Sequence, residues 1–487
     1  MRAPRLDRWA VLAAVLVAAF AWLVGPRAAE LGTETTGDAE LAARVRALVD
    51  DPTGYRGLAV ATVEGGQVRT AGLGDDGRGG AVGAETPFEI GSIGKTLTGM
   101  LLADLVRDGT VRADQRLADL LPTVDFEDPD TADATLAELA SHRSGLPRIR
   151  FTGPVQAAGV VLNTLGGNDP YGSADTEWLL STVGGASAGG GEQEVSYSNY
   201  GVSVLGHALA QRAGVPYPEL VERRILAPLG MAATGFTPPE GAPQGFTAGG
   251  RPVDPWSATG YAPAGGAWST ATDVAKLVSA TMAGTAPGAD AATPRFDAGE
   301  DERIGYGWFT DQSGGREITW HNGGTGGFRA YAGFDRAAGL GVVVLGNTDR
   351  SVDDLGRRLL GTEPGGGGFD FQVALRLVAT AFMTFGGGLG LLGAARQAGI
   401  DRLRLVSNGV WAVAMPALAA PVGLWQTVPP VLWAVGVGLC GYAVVRTIPR
   451  WRSAPLNNRG RYPWLTWLGT ALNAVIAAAL VVWALVL

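Results

Sequence analysis

Three long stretches near the end of the chain contain no charged residue: 377–395, 409–445 and 464–487. The middle stretch has 37 residues. As one helix it would be roughly 55 Å long at about 1.5 Å per residue, whereas the hydrocarbon core of a bilayer is about 30 Å thick. It therefore has to cross a membrane twice, with the turn at "QTVPP" (426–430). The sequence predicts a membrane domain over 371–487 with four spans, at about 377–395, 409–426, 429–445 and 464–487.

Arginine residues predict how these spans are oriented. The loop 396–408 contains three Arg and the loop 446–463 contains five. Because positively charged loops remain in the cytoplasm, both should be cytoplasmic, which places residues 30–376 on the extracytoplasmic side. The N-terminus carries three Arg before an uncharged run over 9–25. We interpret 1–29 as a signal peptide or an N-terminal membrane anchor, and favour the anchor because no good cleavage site follows the apolar run.

Charge and cysteine content exclude several classes of protein. The formal net charge is −8, but residues 377–487 hold eight Arg and one Asp, which leaves −15 for residues 1–376. That acidic part argues against nucleic-acid binding, which needs a basic surface. The single Cys440 excludes a disulfide framework or a Cys-based metal site within one chain. We expect no metal and no cofactor.

Residues 38–360 are predicted to form one α+β domain. After a linker (30–37), a helix is expected near 38–50 and a β-hairpin over 57–74, around Gly65-Gly66. A helix is expected over 92–107, then mixed helix and loop to about 290. Strand patterns return in "REITWHNGG", "FRAYAGFD" and "GLGVVVLGN". Strands at both ends with helices between them indicate a sheet completed by the C-terminal strands. A Gly-rich linker follows at 361–370.

A rare lysine draws attention to "FEIGSIGKTL" (88–97). Lysine occurs only at positions 95 and 276, and the other 36 basic residues are Arg. Arg stays protonated, so a residue that must lose its proton has to remain Lys. Lys95 lies one helical turn after Ser92, as an amine that activates a serine nucleophile would. The alternative is a helix N-cap serine beside a solvated lysine. A phosphate loop ending in "GKT" is disfavoured, because Glu89 occupies the position of its first glycine.

Two further segments could contribute to such a site. In "VSYSNYGVSVLGHAL" (195–209), Tyr197 could be a phenolate or a proton shuttle, or it could be a packing aromatic, with Ser198 or Asn199 capping the next helix. In "WHNGGTGGF" (320–328), four glycines would let a backbone N–H approach a ligand as part of an oxyanion hole. The same letters also fit a hairpin turn.

Taken together and in this order, the three segments resemble the serine β-lactamase and penicillin-binding-protein superfamily. Within it, the chain resembles the branch that holds class C β-lactamases, D-alanyl-D-alanine carboxypeptidases, D-aminopeptidases and related esterases. The phrases "LASHRSGLP", "ILAPLGMAATGF", "GGAWSTATDVAKL" and "GYGW" also match, and the resemblance covers about residues 40–350. It implies an antiparallel sheet flanked by helices, with an all-helical subdomain.

The resemblance also implies roles for particular residues. Ser92 would be the acylated nucleophile, Lys95 its proton acceptor and Tyr197 a second general base. Asn199 would bind a substrate amide, and Gly323 and Gly324 would also contact the substrate. The oxyanion hole would be the backbone N–H groups of Ser92 and Gly324. His321 would be the remaining catalytic residue, at a position where many members have Lys and others, including some peptidases and esterases, have His. An ordinary histidine is mostly neutral at neutral pH and becomes a cation as pH falls through about 6.5. This departure weakens a carboxylate-binding role and the expectation of efficient β-lactam hydrolysis. His142 and His207 are expected to be structural.

The sequence thus predicts a multi-pass membrane protein of the cell membrane, with an extracytoplasmic serine hydrolase domain that forms an acyl-enzyme. The substrate would be a small molecule or peptide, such as a cell-wall-derived one; the family spans esters, D-peptides and β-lactams. The alternative is a catalytically weak penicillin-binding or cell-surface sensing module. A transporter is disfavoured, because the spans lack the ionisable residues that ion pathways need. No protein partner is predicted.

Overall fold

The computed structural model describes residues 3–189, 194–313, 315–362, 371–456 and 463–486. The chain divides into two compact units. The larger unit comprises 30–247 and 252–366, and the smaller comprises 1–29, 248–251 and 367–487.

The larger unit is an α+β unit, as predicted. Its strands are β1 (Thr35–Gly37), β2 (Gly57–Glu64), β3 (Gln67–Gly74), β4 (Phe88–Glu89), β5 (Gly245–Phe246), β6 (Pro252–Val253), β7 (Trp268–Ser269), β8 (Phe296–Asp297), β9 (Glu302–Ile304), β10 (Phe309–Ser313), β11 (Arg316–Gly324), β12 (Arg329–Asp335) and β13 (Leu340–Gly346). Its helices are α2 (Ala39–Leu48), α3 (Gly94–Arg107), α4 (Leu117–Leu120), α5 (Pro129–Asp133), α6 (Leu136–Ala140), α7 (Pro154–Gly166), α8 (Thr176–Ser181), α9 (Asn199–Ala213), α10 (Tyr217–Val221), α11 (Ala227–Leu229), α12 (Ala262–Gly265), α13 (Ala271–Met282) and α14 (Asp353–Leu359).

The smaller unit is helical. Its helices are α1 (Ala3–Val24), α15 (Phe371–Arg396), α16 (Arg402–Val422), α17 (Val431–Ser453) and α18 (Pro463–Val486).

One large antiparallel sheet organises the larger unit. Among the described residues its strand order is β1-β3-β2-β13-β12-β11-β10-β9-β8. The predicted hairpin is confirmed as β2 and β3, and the late strand patterns are confirmed as β11, β12 and β13. β2 pairs with β13, with Val60 opposite Val344. The C-terminal strands therefore complete the sheet begun near the N-terminus, as the sequence predicted.

The central strand β2 is buried on both faces. Leu58 and Val60 pack with side chains of α2 and α14 in one apolar cluster. Ala59, Ala61 and Val63 point the other way and join a second cluster that includes α13. Because alternate strand residues point to opposite faces, a continuous apolar run is what a strand covered on both sides requires. This explains why "GLAVATV" lacks a polar face.

Helix α3 lies in the interior and packs against α6, α9, α10 and α12. Its first twelve residues are all buried. The predicted helix over 92–107 ends at Arg107 as expected, but its start is different. Ser92 lies in a 3₁₀ turn (Gly91–Ile93), and the α-helix begins at Gly94. Neither turn nor helix is capped by a side chain, so the N-cap interpretation of Ser92 is wrong.

Five helices among the described residues are long and apolar enough to cross a membrane, four of them C-terminal. The second predicted C-terminal span, about 409–426, overlaps one of these helices. Its helix begins at Arg402, because the Asp401 side chain caps it by accepting the Arg404 N–H, and it ends at Val422. The turn is therefore longer than "QTVPP". Most of the predicted linker 361–370 lies outside the described residues.

Small residues let these helices approach closely. A Cβ on Gly438 of α17 would lie 2.8 Å from the Ala14 carbonyl of α1, and one on Gly387 of α15 would lie 2.7 Å from the Ala412 Cα of α16. Glycine at such contacts is characteristic of helix packing in membranes. Asp7 of α1 also forms an ion pair with Arg446 of α17. Helix α1 is thus packed against the bundle along its length.

Candidate active site

The turn that carries Ser92 requires glycine just before it. Gly91 has φ +49°, a left-handed conformation that L side chains rarely adopt. A Cβ at Gly91 would also lie 2.6 Å from the backbone nitrogen of Gly324. Glycine at this position therefore lets the end of β11 lie directly against the turn. The turn then continues into α3, which brings Lys95 under Ser92.

Lys95 is completely buried and contacts Ser92. Its Nζ lies 2.8 Å from the Ser92 Oγ and 2.6 Å from the Ala264 carbonyl oxygen. Burial, and secondarily the positive charge of Arg148, hold the pKa of Lys95 well below its usual value. A neutral amine has two N–H donors and one lone pair. With one N–H donated to Ala264, the lone pair can accept the Ser92 hydroxyl proton. The predicted pair is therefore present with the geometry of a base and a nucleophile.

Tyr197 lies beside this pair. The Lys95 Nζ is 4.8 Å from the centre of the Tyr197 ring. Burial raises the pKa of Tyr197 to about 12, although Ser92 and Arg148 act in the opposite direction. The side chain is thus a neutral phenol at physiological pH, and the phenolate interpretation has no support in the resting site. A phenol in contact with Ser92 can still relay a proton.

His142 supports the segment that carries Tyr197. Its Nδ1 accepts the Ser198 N–H at 3.2 Å, and its carbonyl oxygen accepts the Ser196 N–H at 2.7 Å. The centres of the His142 and Tyr197 rings lie 4.4 Å apart. His142 adopts φ +58°, unusual for a non-glycine residue. These contacts fit the expected structural role of His142, which is to position Tyr197.

Asn199 borders the same pocket. It is the first residue of α9, and its N–H donates to the Arg148 carbonyl at 3.1 Å. Its side-chain Oδ1 is buried without a partner among the described residues. Because a buried carbonyl oxygen without a donor is costly, a substrate N–H would satisfy it. This arrangement fits the predicted amide-binding role.

The end of β11 lies against the nucleophile turn. A Cβ on Gly323 would come 1.9 Å from the Ile90 carbonyl oxygen and 3.2 Å from the Ser92 nitrogen. Only glycine allows this approach, which places the Gly324 backbone beside Ser92. "HNGG" is therefore the end of a strand and not a hairpin turn.

His321, on β11, is a neutral side chain and not a switchable cation. It is 1% exposed, and its Nδ1 lies 2.5 Å from the Asn322 carbonyl oxygen. Burial, and secondarily the charge of Lys95, lower the pKa of His321 to about 3. The expectation that it becomes a cation near pH 6.5 is wrong. Its Nε2 is also buried without a partner among the described residues.

A cavity of about 160 Å³ opens beside Ser92. Arg148, Tyr171, Asn199, Trp256 and Gly324 are among its lining residues. A second cavity of about 660 Å³ shares Trp256, Ala258 and Gly266 with it. His207 lines the second cavity, with Nε2 2.9 Å from the Gly260 carbonyl oxygen, which fits its expected structural role.

Sequence reasoning missed two charged residues at this site. Arg148 directly follows the quoted phrase "LASHRSGLP", and its guanidinium lies 5.0 Å from the Tyr197 ring centre. Glu89 lies three residues before Ser92, and its Oε1 accepts the Trp256 N–H at 2.6 Å. Burial raises the pKa of Glu89 to about 7. Proximity to the Ser-x-x-Lys motif was the available signal for Glu89.

Comparisons with known proteins agree with this geometry. The beta-lactamase family model matches residues 41–362. The chain belongs to the beta-lactamase family. Among curated relatives, the D-alanyl-D-alanine-carboxypeptidase/endopeptidase AmpH of Escherichia coli is 25% identical over 391 residues, covering 74% of this chain and 98% of AmpH.

Two solved structures share the fold. A class C beta lactamase from Rhodobacter sphaeroides has a TM-score of 0.54 at 21% identity, over 64% of this chain and 95% of that one. D-alanine carboxypeptidase AmpC from Burkholderia cenocepacia has a TM-score of 0.54 at 22% identity, over 66% of this chain and 99% of that one. The fold predicted from the sequence is confirmed.

Proposed function

We propose that this protein is a serine hydrolase that forms an acyl-enzyme on Ser92. The observation that carries the proposal is the contact of 2.8 Å between the Ser92 Oγ and a fully buried Lys95 amine. No described carboxylate pairs with Lys95, and its pKa is lowered. A buried lysine used only for structure would need a counter-charge.

The residues suggest an order of proton transfers. The Lys95 lone pair takes the hydroxyl proton as the Ser92 Oγ attacks the substrate carbonyl carbon. The backbone N–H groups of Ser92 and Gly324 stabilise the resulting oxyanion. The proton then passes from the Lys95 ammonium, through the neutral Tyr197 phenol, to the leaving group as its bond to carbon breaks. In the second half, water gives a proton to the Lys95 amine as its oxygen attacks the acyl carbon, and that proton passes to the Ser92 Oγ as the bond between Oγ and the acyl carbon breaks.

The relatives suggest the substrate class. AmpH is named for D-alanyl-D-alanine carboxypeptidase and endopeptidase activity. The unpartnered Asn199 Oδ1 supports a substrate with an N–H near the scissile carbonyl. We therefore propose peptides ending in D-amino acids, or esters that resemble them. The neutral His321 supports weak activity on β-lactams.

We further propose that the chain is an integral membrane protein with residues 30–376 on the extracytoplasmic side. The Arg-rich loops support this orientation through the positive-inside rule. The ion pair between Asp7 and Arg446 supports the arrangement of the spans relative to one another. It joins the start of α1 to the end of α17, two positions on the same side of the membrane in the proposed topology. It also supports α1 as a retained fifth span and not a cleaved signal.

A fluorophosphonate probe tests the proposed function on the full-length protein in detergent. We expect one labelled residue, Ser92, identified by mass spectrometry of the labelled peptide. Ser92→Ala should abolish labelling, while Ser196→Ala, an exposed serine one residue before Tyr197, should be labelled normally. Labelling that persists in Ser92→Ala would refute the assignment. Absence of labelling in the unmodified protein would favour the binding module instead.

A further inference from the structure

Arg148 is a permanent cation at the mouth of the pocket. It is exposed and lines the cavity beside Ser92. Among the described residues, no carboxylate lies within ion-pair distance of its guanidinium. Other arginines of the larger unit form ion pairs, as Arg316 does with Asp335. Arg148 instead rests over the face of Tyr197.

The position of Arg148 is fixed by its backbone. Its carbonyl oxygen accepts the N–H groups of Asn199 and Tyr200, at 3.1 and 3.3 Å. The neighbouring Pro147 carbonyl accepts the Ser198 hydroxyl at 2.8 Å. Arg148 is therefore attached to the same segment that presents Tyr197 and Asn199. The backbone of Arg148 is therefore held next to the site, while its exposed guanidinium has no ion-pair partner among the described residues.

The other basic groups around Ser92 are buried. The Lys95 amine contacts the Ser92 hydroxyl and the Ala264 carbonyl, and the His321 and His142 rings are enclosed. Burial lowers the pKa of each of the three and disfavours its charged form. Asp169 is partly exposed and accepts the N–H and the hydroxyl of Ser257 at 2.7 and 2.8 Å. Among the described residues that line the cavity, the charged one is Arg148. An anionic substrate group entering this pocket would therefore meet the Arg148 guanidinium.

We infer that Arg148 is a specificity-determining residue that binds a carboxylate of the substrate while its scissile carbonyl lies on Ser92. A guanidinium matches a carboxylate with two parallel N–H donors. Arg148 would thus supply the charge that His321 cannot. This inference rests on the proposed function, since it assumes a substrate bound at Ser92.

The test compares pairs of aryl esters in which one member carries a carboxylate and the other carries the isosteric carboxamide at the same position. In the first pair this position is on the acyl part, and in the second pair it is on the leaving group; the two pairs form two series. kcat/KM is measured on the full-length protein in detergent, at a pH on the plateau of the profile, so that the protonation of Lys95 does not change with the variant. The variants are Arg148→Gln, Arg148→Lys and Arg212→Gln. Arg212 is an exposed arginine in the last turn of α9, and its loss changes the net charge equally.

In at least one of the two series, we expect the unmodified protein to have a higher kcat/KM for the carboxylate ester than for the carboxamide ester. Arg148→Gln should lower the ratio of carboxylate to carboxamide kcat/KM about tenfold, and Arg148→Lys should give an intermediate ratio. Arg212→Gln should leave the ratio unchanged. Raising the ionic strength should lower the ratio of the unmodified protein, because salt screens an exposed ion pair.

Two outcomes would overturn the inference, and they differ in what else they overturn. Turnover of both esters with a ratio insensitive to Arg148→Gln in both series would refute the role of Arg148 and leave the proposed function standing. Turnover of neither ester, together with absence of probe labelling at Ser92, would refute both.

Discussion

Replacing Glu89 by Gln should stabilise the protein at neutral and alkaline pH. Glu89 is 3% exposed, and no described residue lies in hydrogen-bonding position to its Oε2. Burial is the main reason that its pKa rises from 4.5 to about 7. Glutamine keeps the oxygen that accepts the Trp256 N–H and removes the charge. Its amide nitrogen can also donate to the nearby Thr325 hydroxyl.

The size of the effect follows from the pKa. The folded state binds more protons than the unfolded state between pH 4.5 and about 7, so the stability of the unmodified protein falls as pH rises through that window. At about 1.4 kcal/mol per pKa unit, the loss is on the order of 3 kcal/mol. The entropy of unfolding is roughly 2.1 cal/mol/K per residue, or about 0.7 kcal/mol/K for residues 41–362. Glu89→Gln should therefore raise the Tm by about 5 °C at pH 8.

The assay is thermal unfolding of the full-length protein in detergent, followed by tryptophan fluorescence at pH 4.5 and pH 8. The two proteins should have similar Tm values at pH 4.5, where the carboxyl is protonated in the folded state and about half protonated in the unfolded state. Glu64→Gln, at an exposed hairpin end, is the control and should shift stability by no more than about 0.5 kcal/mol. An equal difference at both pH values, or a lower Tm for Glu89→Gln at pH 8, would refute the reasoning.

Three other predictions concern the base, the histidine and the topology. Lys95→Arg should lose activity as completely as Lys95→Ala in an ester hydrolysis assay, since Arg cannot release a proton; substantial activity in Lys95→Arg would mean that residue 95 acts only as a charge. Because the pKa of His321 is about 3, His321 should not protonate between pH 5.5 and 8 and should not alter the ratio of kcat/KM for a carboxylate ester to that for a neutral ester. His321→Lys should raise this ratio. An unchanged ratio in His321→Lys would place residue 321 away from the substrate. On a Cys440→Ser background, a cysteine at Thr427 should react with an impermeant maleimide in sealed cells and one at Gln397 should not; the reverse pattern would overturn the topology.

Local sequence was sufficient where local contacts decide the structure. The hairpin over 57–74 follows from two alternating runs around a glycine pair, and the Ser92–Lys95 contact follows from helical spacing. The start of α3 was misplaced because the decisive contact is not local. Gly91 adopts a left-handed conformation against Gly324, which lies more than 200 residues later in the chain. Gly91–Ile93 therefore form a 3₁₀ turn, and the α-helix begins after it.

Electrostatics at the site were also beyond local sequence. The charge state of His321 depends on its complete burial under other elements, which its immediate neighbours do not reveal. Arg148 is one of 36 arginines, and only its attachment to the Tyr197–Asn199 segment distinguishes it. A pKa is set by desolvation and by charges brought together in the fold, so its prediction requires the fold first.

The two lysines of the chain show why the charge distribution at the site is suited to catalysis. Lys276 is partly exposed, forms an ion pair with Asp273 at 2.7 Å and donates to the Gly230 carbonyl, so its contacts are structural. Lys95 is buried with only a hydroxyl and a carbonyl oxygen as partners, which favours the neutral amine. Arg148 strengthens that preference from outside, because its fixed charge lowers the pKa of Lys95. One exposed guanidinium can thus keep the base unprotonated and attract an anionic substrate. Loss of Arg148 should therefore also move the acid limb of the pH–rate profile to higher pH.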